Sequence, residues 1–320
     1  MNDSAGTAAS SPSADRSAVA VRGVVLVAVS AVGFGTLGIF GKLATRAGVT
    51  LPTLLALRFG LAAVLLVAVV AGRGRLRVPA RRHAAAVTLM GLLYVGQATC
   101  FFASLRTVPA AVTSILLYTY PVIVTLLSRL LFHESLTPVR VGALIAASVG
   151  VLLVVDPFAT RALDPTGVLL ALGSAVVYSA YILCGSVLLR DISPLAATAG
   201  ITAVAGIVFA IAGAGTGQLR AVDSSGWLII AGIAVVPTVI AATAFLAGLR
   251  RVGPAVASTI STLEPASTAA LAALVLGETL APFRWIGGAV TLLAAVALAR
   301  ATAMGAPANQ LAPGPPHEVA

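Results

Sequence analysis

Three observations predict an all-α integral membrane fold, with ten transmembrane helices in two inverted five-helix repeats. The first is composition: of 320 residues, 59% are hydrophobic and only 9% charged, with a mean hydropathy of +1.05. Soluble domains carry about 25% charged residues, so this chain cannot cover a water-facing surface. The second is that apolar runs of about 20 residues recur along the chain, each long enough to cross a bilayer. The third is an internal repeat. Residues 104–140 lie without a gap over residues 248–284 at an offset of 144 positions. Arg106 falls on Arg250, Ser114 on Ser258, Pro121 on Pro265, Glu134 on Glu278 and Arg140 on Arg284.

In chain order, residues 1–20 are rich in Ser, Ala, Asp and Thr and read as a disordered cytoplasmic tail. The run from Val21 is longer than the apolar core of a secretory signal. It ends in GIFGKLATR rather than at a small-residue cleavage site, so it reads as a first span. The first repeat, residues 21–155, holds spans at 21–42, 52–71, 84–104, 108–131 and 138–155. The second, residues 156–302, holds spans at 166–189, 194–213, 226–248, 253–276 and 282–299. Residues 303–320 form a Pro-rich, disordered tail. Helices are expected because a bilayer offers free backbone groups no partner. A barrel would need short alternating segments, and these runs do not alternate.

The net charge of +10 does not point to nucleic acid, because the basic residues are scattered and no soluble basic face exists to gather them. They report topology instead. With the N-terminus inside, thirteen Lys/Arg residues fall on the inner side, six on the outer side, and Arg58 lies within a span. That bias places both termini in the cytoplasm. An odd number of spans per repeat then makes the second copy enter the membrane upside down. Inverted repeats are a transporter architecture, with a substrate site near the midplane between the halves.

Cys100 and Cys184 lie within spans, form no C-x-x-C pair and read as small apolar fillers. No metal-spaced Cys/His cluster, P-loop, H-E-x-x-H or G-x-S-x-G motif occurs, so neither an enzyme nor a cofactor is expected. Small residues recur every four positions at Gly142, Ala146 and Gly150, and again at Gly287, Thr291, Ala295 and Ala299. Such stripes let helices approach closely in lipid.

The polar residues inside spans carry the site expectation. Glu264 lies near the middle of span nine, where a charge costs about 2.5–3.5 kcal/mol, so it should face the bundle interior. It is the candidate for proton coupling or for holding a substrate ammonium. Its repeat counterpart is Tyr120. Pro121 and Pro265 each remove a helix N–H, and the carbonyls of Leu117 and Ser261 lose that partner. The two prolines are therefore read as helix breaks or hinges. Tyr94, Gln97, Tyr118, Tyr120, Tyr178 and Tyr181 are candidate cavity-lining groups. Tyr94 and Gln97 share a helical face. Tyr118 and Tyr120, two apart, should not. Phe34 and Phe40 read as packing residues. Arg58 reads as a structural cation with a carbonyl or carboxylate partner. Glu134 and Glu278 read as loop-capping or gating groups on opposite sides of the membrane.

The segments LLYTYPVIVTLLSRLLFHESLTPVRVGALIAASVGVLLV and STLEPASTAALAALVLGETLAPFRWIGGAVTLLAAVALA both resemble the C-terminal part of an EamA repeat. LALRFGLAAVLL resembles that repeat's second span. The chain is thus similar to EamA-type permeases of the drug/metabolite transporter superfamily over nearly all of residues 21–300. The resemblance implies a ten-helix transporter of the bacterial plasma membrane, often exporting amino acids, related metabolites or toxic compounds. It places Pro121 and Glu134 on the first repeat's motif, and Glu264, Pro265 and Glu278 on the second's. GFGTLGIFGK departs from the family pattern in lacking a tryptophan early in span one. The expected function is a secondary transporter exporting a small amino-acid-like or amphipathic metabolite. Its partners are that substrate, the lipid bilayer and, if Glu264 couples transport, protons. An uncoupled facilitator or importer is the main alternative. A transporter-fold scaffold or sensor is a further one.

Overall fold

Prolines and short acceptor side chains set many of the helix starts. Pro52, Pro165 and Pro194 stand in the first turn of their helices. There the missing N–H costs nothing, because no intrahelical acceptor exists for it. Asp164 and Asp223 accept from the amides of Gly167 and Gly226 at 2.7 Å, and Ser193 accepts from Ala196 at 3.3 Å. Each cap satisfies a donor that the first turn leaves open.

The computed structural model describes residues 12–73, 81–108, 110–155, 164–277 and 282–304. Among the described residues every regular element is helical. The first half holds α1 (Pro12–Arg46), α2 (Leu51–Gly72), α3 (Arg81–Ser104), α4 (Ala110–Leu117), α5 (Tyr120–Phe132) and α6 (Pro138–Val155). The second half holds α7 (Pro165–Leu188), α8 (Pro194–Gly215), α9 (Ser224–Ile233), a π-helical segment (Ala234–Ala241), α10 (Ala242–Val252), α11 (Pro254–Ile260), α12 (Leu263–Leu276) and α13 (Pro282–Met304). Among the described residues seven stretches are long and apolar enough to cross a membrane: α1, α2, α3, α7, α8, the continuous run from α9 through α10, and α13. The helices α5 and α6 are apolar but shorter.

The structure departs from the expected elements in three places. Helix α1 reaches back to Pro12, so residues 12–20 are helical rather than a disordered tail. Spans four and nine are each split, between Leu117 and Tyr120 and between Ile260 and Leu263. Span eight contains the π-helical segment around Pro237. Pro237 has no N–H to offer the Ile233 carbonyl. The π-helical register pairs that carbonyl with the amide five residues on, and the Thr238 hydroxyl adds a further bond to it at 2.7 Å. A buried proline is thereby tolerated within a continuous helix.

The two halves pack as intertwined equivalents. Helix α2 lies on α8, the second helix of the other half, and α6 lies on α13, the last. A Cβ on Gly206 would sit 3.0 Å from the Gly60 amide nitrogen, and one on Gly213 would sit 3.6 Å from Pro52 Cβ. Later residues of α8 thus meet earlier residues of α2, so these equivalent helices run antiparallel. The two small-residue stripes meet where a Cβ on Gly150 would approach the Gly287 carbonyl to 2.8 Å. Gly142, at the other end of its stripe, touches nothing within 4 Å. The largest apolar core, including Val27, Met90, Ile182, Leu189, Leu249 and Leu298, fills one end of the bundle. The opposite end, where α1 passes to α2, is hollow.

Candidate functional site

The two split spans create the site. Both breaks are tight turns closed by i→i−3 bonds, Thr119 N–H to Leu116 at 3.3 Å and Thr262 N–H to Thr259 at 3.2 Å. The hydroxyls of Thr119 and Thr262 donate to the same two carbonyls, at 2.7 and 2.6 Å. The Ser261 carbonyl, expected to be free, accepts from the Glu264 N–H at 3.0 Å. The chain tightens into a shorter turn and so recaptures the acceptor that Pro265 abandons.

Because the helix stops and restarts, Glu264 stands in the first turn of α12 rather than inside a continuous helix. A carboxylate is favoured there by the helix dipole and the open amides. The Tyr118 ring stands beside it on the same cavity wall. Gly35 brings α1 against the same turn: a Cβ on it would lie 3.3 Å from the Glu264 carbonyl and 2.8 Å from Ser267 Cβ.

Glu264 opens onto a cavity of about 710 Å³, within the range of small-molecule sites. Its wall includes Tyr94, Gln97, Tyr118, Tyr120, Tyr178 and Pro265, so these expected lining residues are brought together with Glu264. Pro121 is not among them and is buried in the first turn of α5. Residues of both halves form the wall, which extends from Glu264 to Lys42, Thr45, Val49 and Leu51 where α1 joins α2. Among the described residues no group of His, Cys, Asp and Glu could hold a metal ion.

Aromatic rings organise the closed end of the cavity. The rings of Tyr120 and Tyr178 meet edge-on at 4.7 Å, and Tyr178 stacks on Tyr181 at 5.9 Å. Tyr118 and Tyr120 were expected on different faces, yet their rings are 5.9 Å apart. The break between α4 and α5 lies between them and cancels the helical phase. The Tyr120 hydroxyl is buried without a hydrogen-bond partner among the described residues. Gln97 donates to the Ser174 hydroxyl at 3.2 Å, and that hydroxyl donates to the Gln97 carbonyl at 3.1 Å, joining α3 to α7.

Other expectations are corrected. Among the described residues Arg58 has neither a carbonyl nor a carboxylate partner: its Nη2 donates to the Tyr94 hydroxyl at 3.3 Å, and its guanidinium stands 4.4 Å above the Phe59 ring. It lines the cavity. Phe34 packs against the main core as expected while also lining the cavity, and Phe40 packs against Gly232. Depth in the apolar run LALRFG signalled that Arg58 was unusual. Which face of α2 it occupied was not readable. Glu134 is 6% exposed, 3.9 Å from Arg140 Nη1, and it lies against Gly253 between α10 and α11. Burial pushes its carboxyl above the ordinary carboxylate range, with Arg140 opposing. Glu278 lies outside the described residues.

Comparison with known proteins agrees with this architecture. One solved crystal structure superposes with a TM-score of 0.76 at 20% identity, covering 91% of this chain and 100% of that one. The likeness is one of fold. The "Uncharacterized inner membrane transporter YedA" of Escherichia coli K12 is 28% identical over 243 residues, 75% of this chain and 78% of that protein. Its counterpart in Escherichia coli O157:H7 matches equally. The model of the EamA-like transporter family matches twice, at residues 21–156 and 165–300, one match to each half of the bundle. With a family repeat on each half, the chain belongs to the EamA-like transporter family and is a membrane transporter.

Proposed function

We propose that the protein is a secondary transporter exporting a small amino-acid-like or amphipathic metabolite by alternating access between two inverted repeats of five spans. The observation that carries this reading is the asymmetry of the cavity. It holds Glu264 and the tyrosines at its closed end, opens where α1 meets α2, and faces a sealed apolar core beyond. In this reading α4 with α5, and α11 with α12, each form one interrupted span, and the run from α9 to α10 forms another. That makes ten. The antiparallel run of α2 and α8 supports inversion.

The excess of basic residues on one side places both termini in the cytoplasm of a bacterial inner membrane. The cavity then faces outward, and a rocking of the halves would expose the same residues inward. Glu264 is the proposed coupling group, exchanging a proton with the open side. Pro121 and Pro265 mark the two hinges. A cavity beside Glu264 favours transport over a sealed scaffold or sensor, in which that space would be filled.

The test begins with overproduction of the protein and a screen for resistance to toxic metabolites and analogues. Direct flux of the best hit is then measured in proteoliposomes under an imposed pH gradient. A proton-coupled exporter concentrates substrate against its gradient. A facilitator only equilibrates it, and that result would replace coupled export with the uncoupled alternative.

A further inference from the structure

We propose that Arg58 is an anion-binding subsite of the cavity, and that the cargo carries a carboxylate on an apolar body; this rests on the transport reading above. Arg58 is 5% exposed and lines the cavity from α2. Its described contacts are a phenol and an aromatic face, from Tyr94 and Phe59. Its Nε is buried and has no hydrogen-bond partner. The ion pairs among the described residues, Arg82 with Asp191 and Arg140 with Glu134, do not involve it.

A buried charge without a counter-charge is costly, and proteins retain one where a ligand supplies the missing partner. Losing its proton is no escape for a guanidinium, which stays charged in proteins. The edge-on contact of Phe59 with Tyr94, at 5.5 Å, holds the planar group in one orientation. A planar carboxylate is the natural complement of such a fork. Glu264 stands on the same cavity and disfavours an anion of higher charge. Phe34, Phe101 and Phe102 supply apolar wall for the rest of the molecule.

The test uses the purified full-length protein in detergent and follows thermal unfolding with three matched probes: hydrocinnamate, hydrocinnamide and phenethylamine. Hydrocinnamate should stabilise the wild type, and its neutral amide should not. In Arg58→Gln the hydrocinnamate concentration giving half-maximal stabilisation should rise at least about tenfold, as expected for losing a charge-assisted contact. Arg58→Lys should fall between the two. The response to phenethylamine should be the same in all three proteins. Equal responses to acid and amide, parallel loss of acid and amine binding in Arg58→Gln, or no response of the wild type to hydrocinnamate each overturn the subsite. If phenethylamine still stabilises the wild type and substrate flux persists, the transport reading survives that failure. Loss of flux and of every probe response removes both.

Discussion

Glu264 shows how one residue can be costly in sequence yet settled in structure. A break in the helix gives it a first-turn position, with Tyr118 beside it on the cavity wall. If it carries the coupling proton, Glu264→Gln should leave counterflow running in proteoliposomes but abolish its dependence on pH. Unchanged pH dependence would take Glu264 out of the coupling step. Tyr118→Phe removes only a hydroxyl neighbouring the carboxyl, so it should shift the pH profile rather than flatten it. Glu134 gives a separate, stability-level prediction. Its carboxyl is raised by burial, so its contribution to folding is fullest below the ordinary carboxylate range and is lost as pH rises through the raised value. Glu134→Gln should therefore gain thermal stability relative to wild type at neutral pH. The gap should close in acid, as measured by unfolding in detergent across a pH series.

At the scale of elements, the bundle depends on a few places where backbone meets backbone. Gly150 is one: a Cβ there would stand 2.9 Å from the Thr291 amide nitrogen and close on its hydroxyl. Gly150→Leu should separate α6 from α13 and destabilise the protein by about 1–3 kcal/mol, the usual cost of overpacking, visible as a lower midpoint of thermal unfolding. Gly142→Leu, on the same stripe but facing open space, should have far less effect. The π-helical segment is another such place. Thr238 is 2% exposed, and its hydroxyl adds a bond to the Ile233 carbonyl beside Pro237. Thr238→Val should cost about 0.5–1.5 kcal/mol through that lost hydrogen bond, seen as a lower midpoint of thermal unfolding. Thr238→Ser should be nearly neutral.

For the molecule as a whole, the decisive property is that one end is hollow and the other packed. Thr45 lines the open cavity, whereas Leu249 is 1% exposed within the core. In a protein with Cys100 and Cys184 replaced, Thr45→Cys should react with a membrane-impermeant maleimide applied to intact cells. Leu249→Cys should stay unlabelled from either side while this conformation is held. Labelling of position 45 only in inside-out vesicles would reverse the proposed orientation. A substrate that drives the halves to rock should slow labelling at position 45.

Much of this was legible in the chain. Apolar run length marks where helices form, because a bilayer offers unpaired backbone groups no partner, and apart from the start of α1 and the breaks in spans four and nine the helix ends fall close to the expected ones. The internal repeat exposed the doubled architecture, and the expense of a mid-span carboxylate pointed to Glu264. What the sequence could not settle was phase across a broken helix. Tyr118 and Tyr120 converge only because two residues of turn reset the helical count. Nor could it assign partners between helices far apart in the chain. Arg58 meets Tyr94 through the packing of α2 and α3 rather than through any local pattern, and the cavity exists only because several helices leave the same volume unfilled. Burial and periodicity are local properties that the order of residues encodes. Which polar groups share a space is a property of helix packing, and only the tertiary structure decides it.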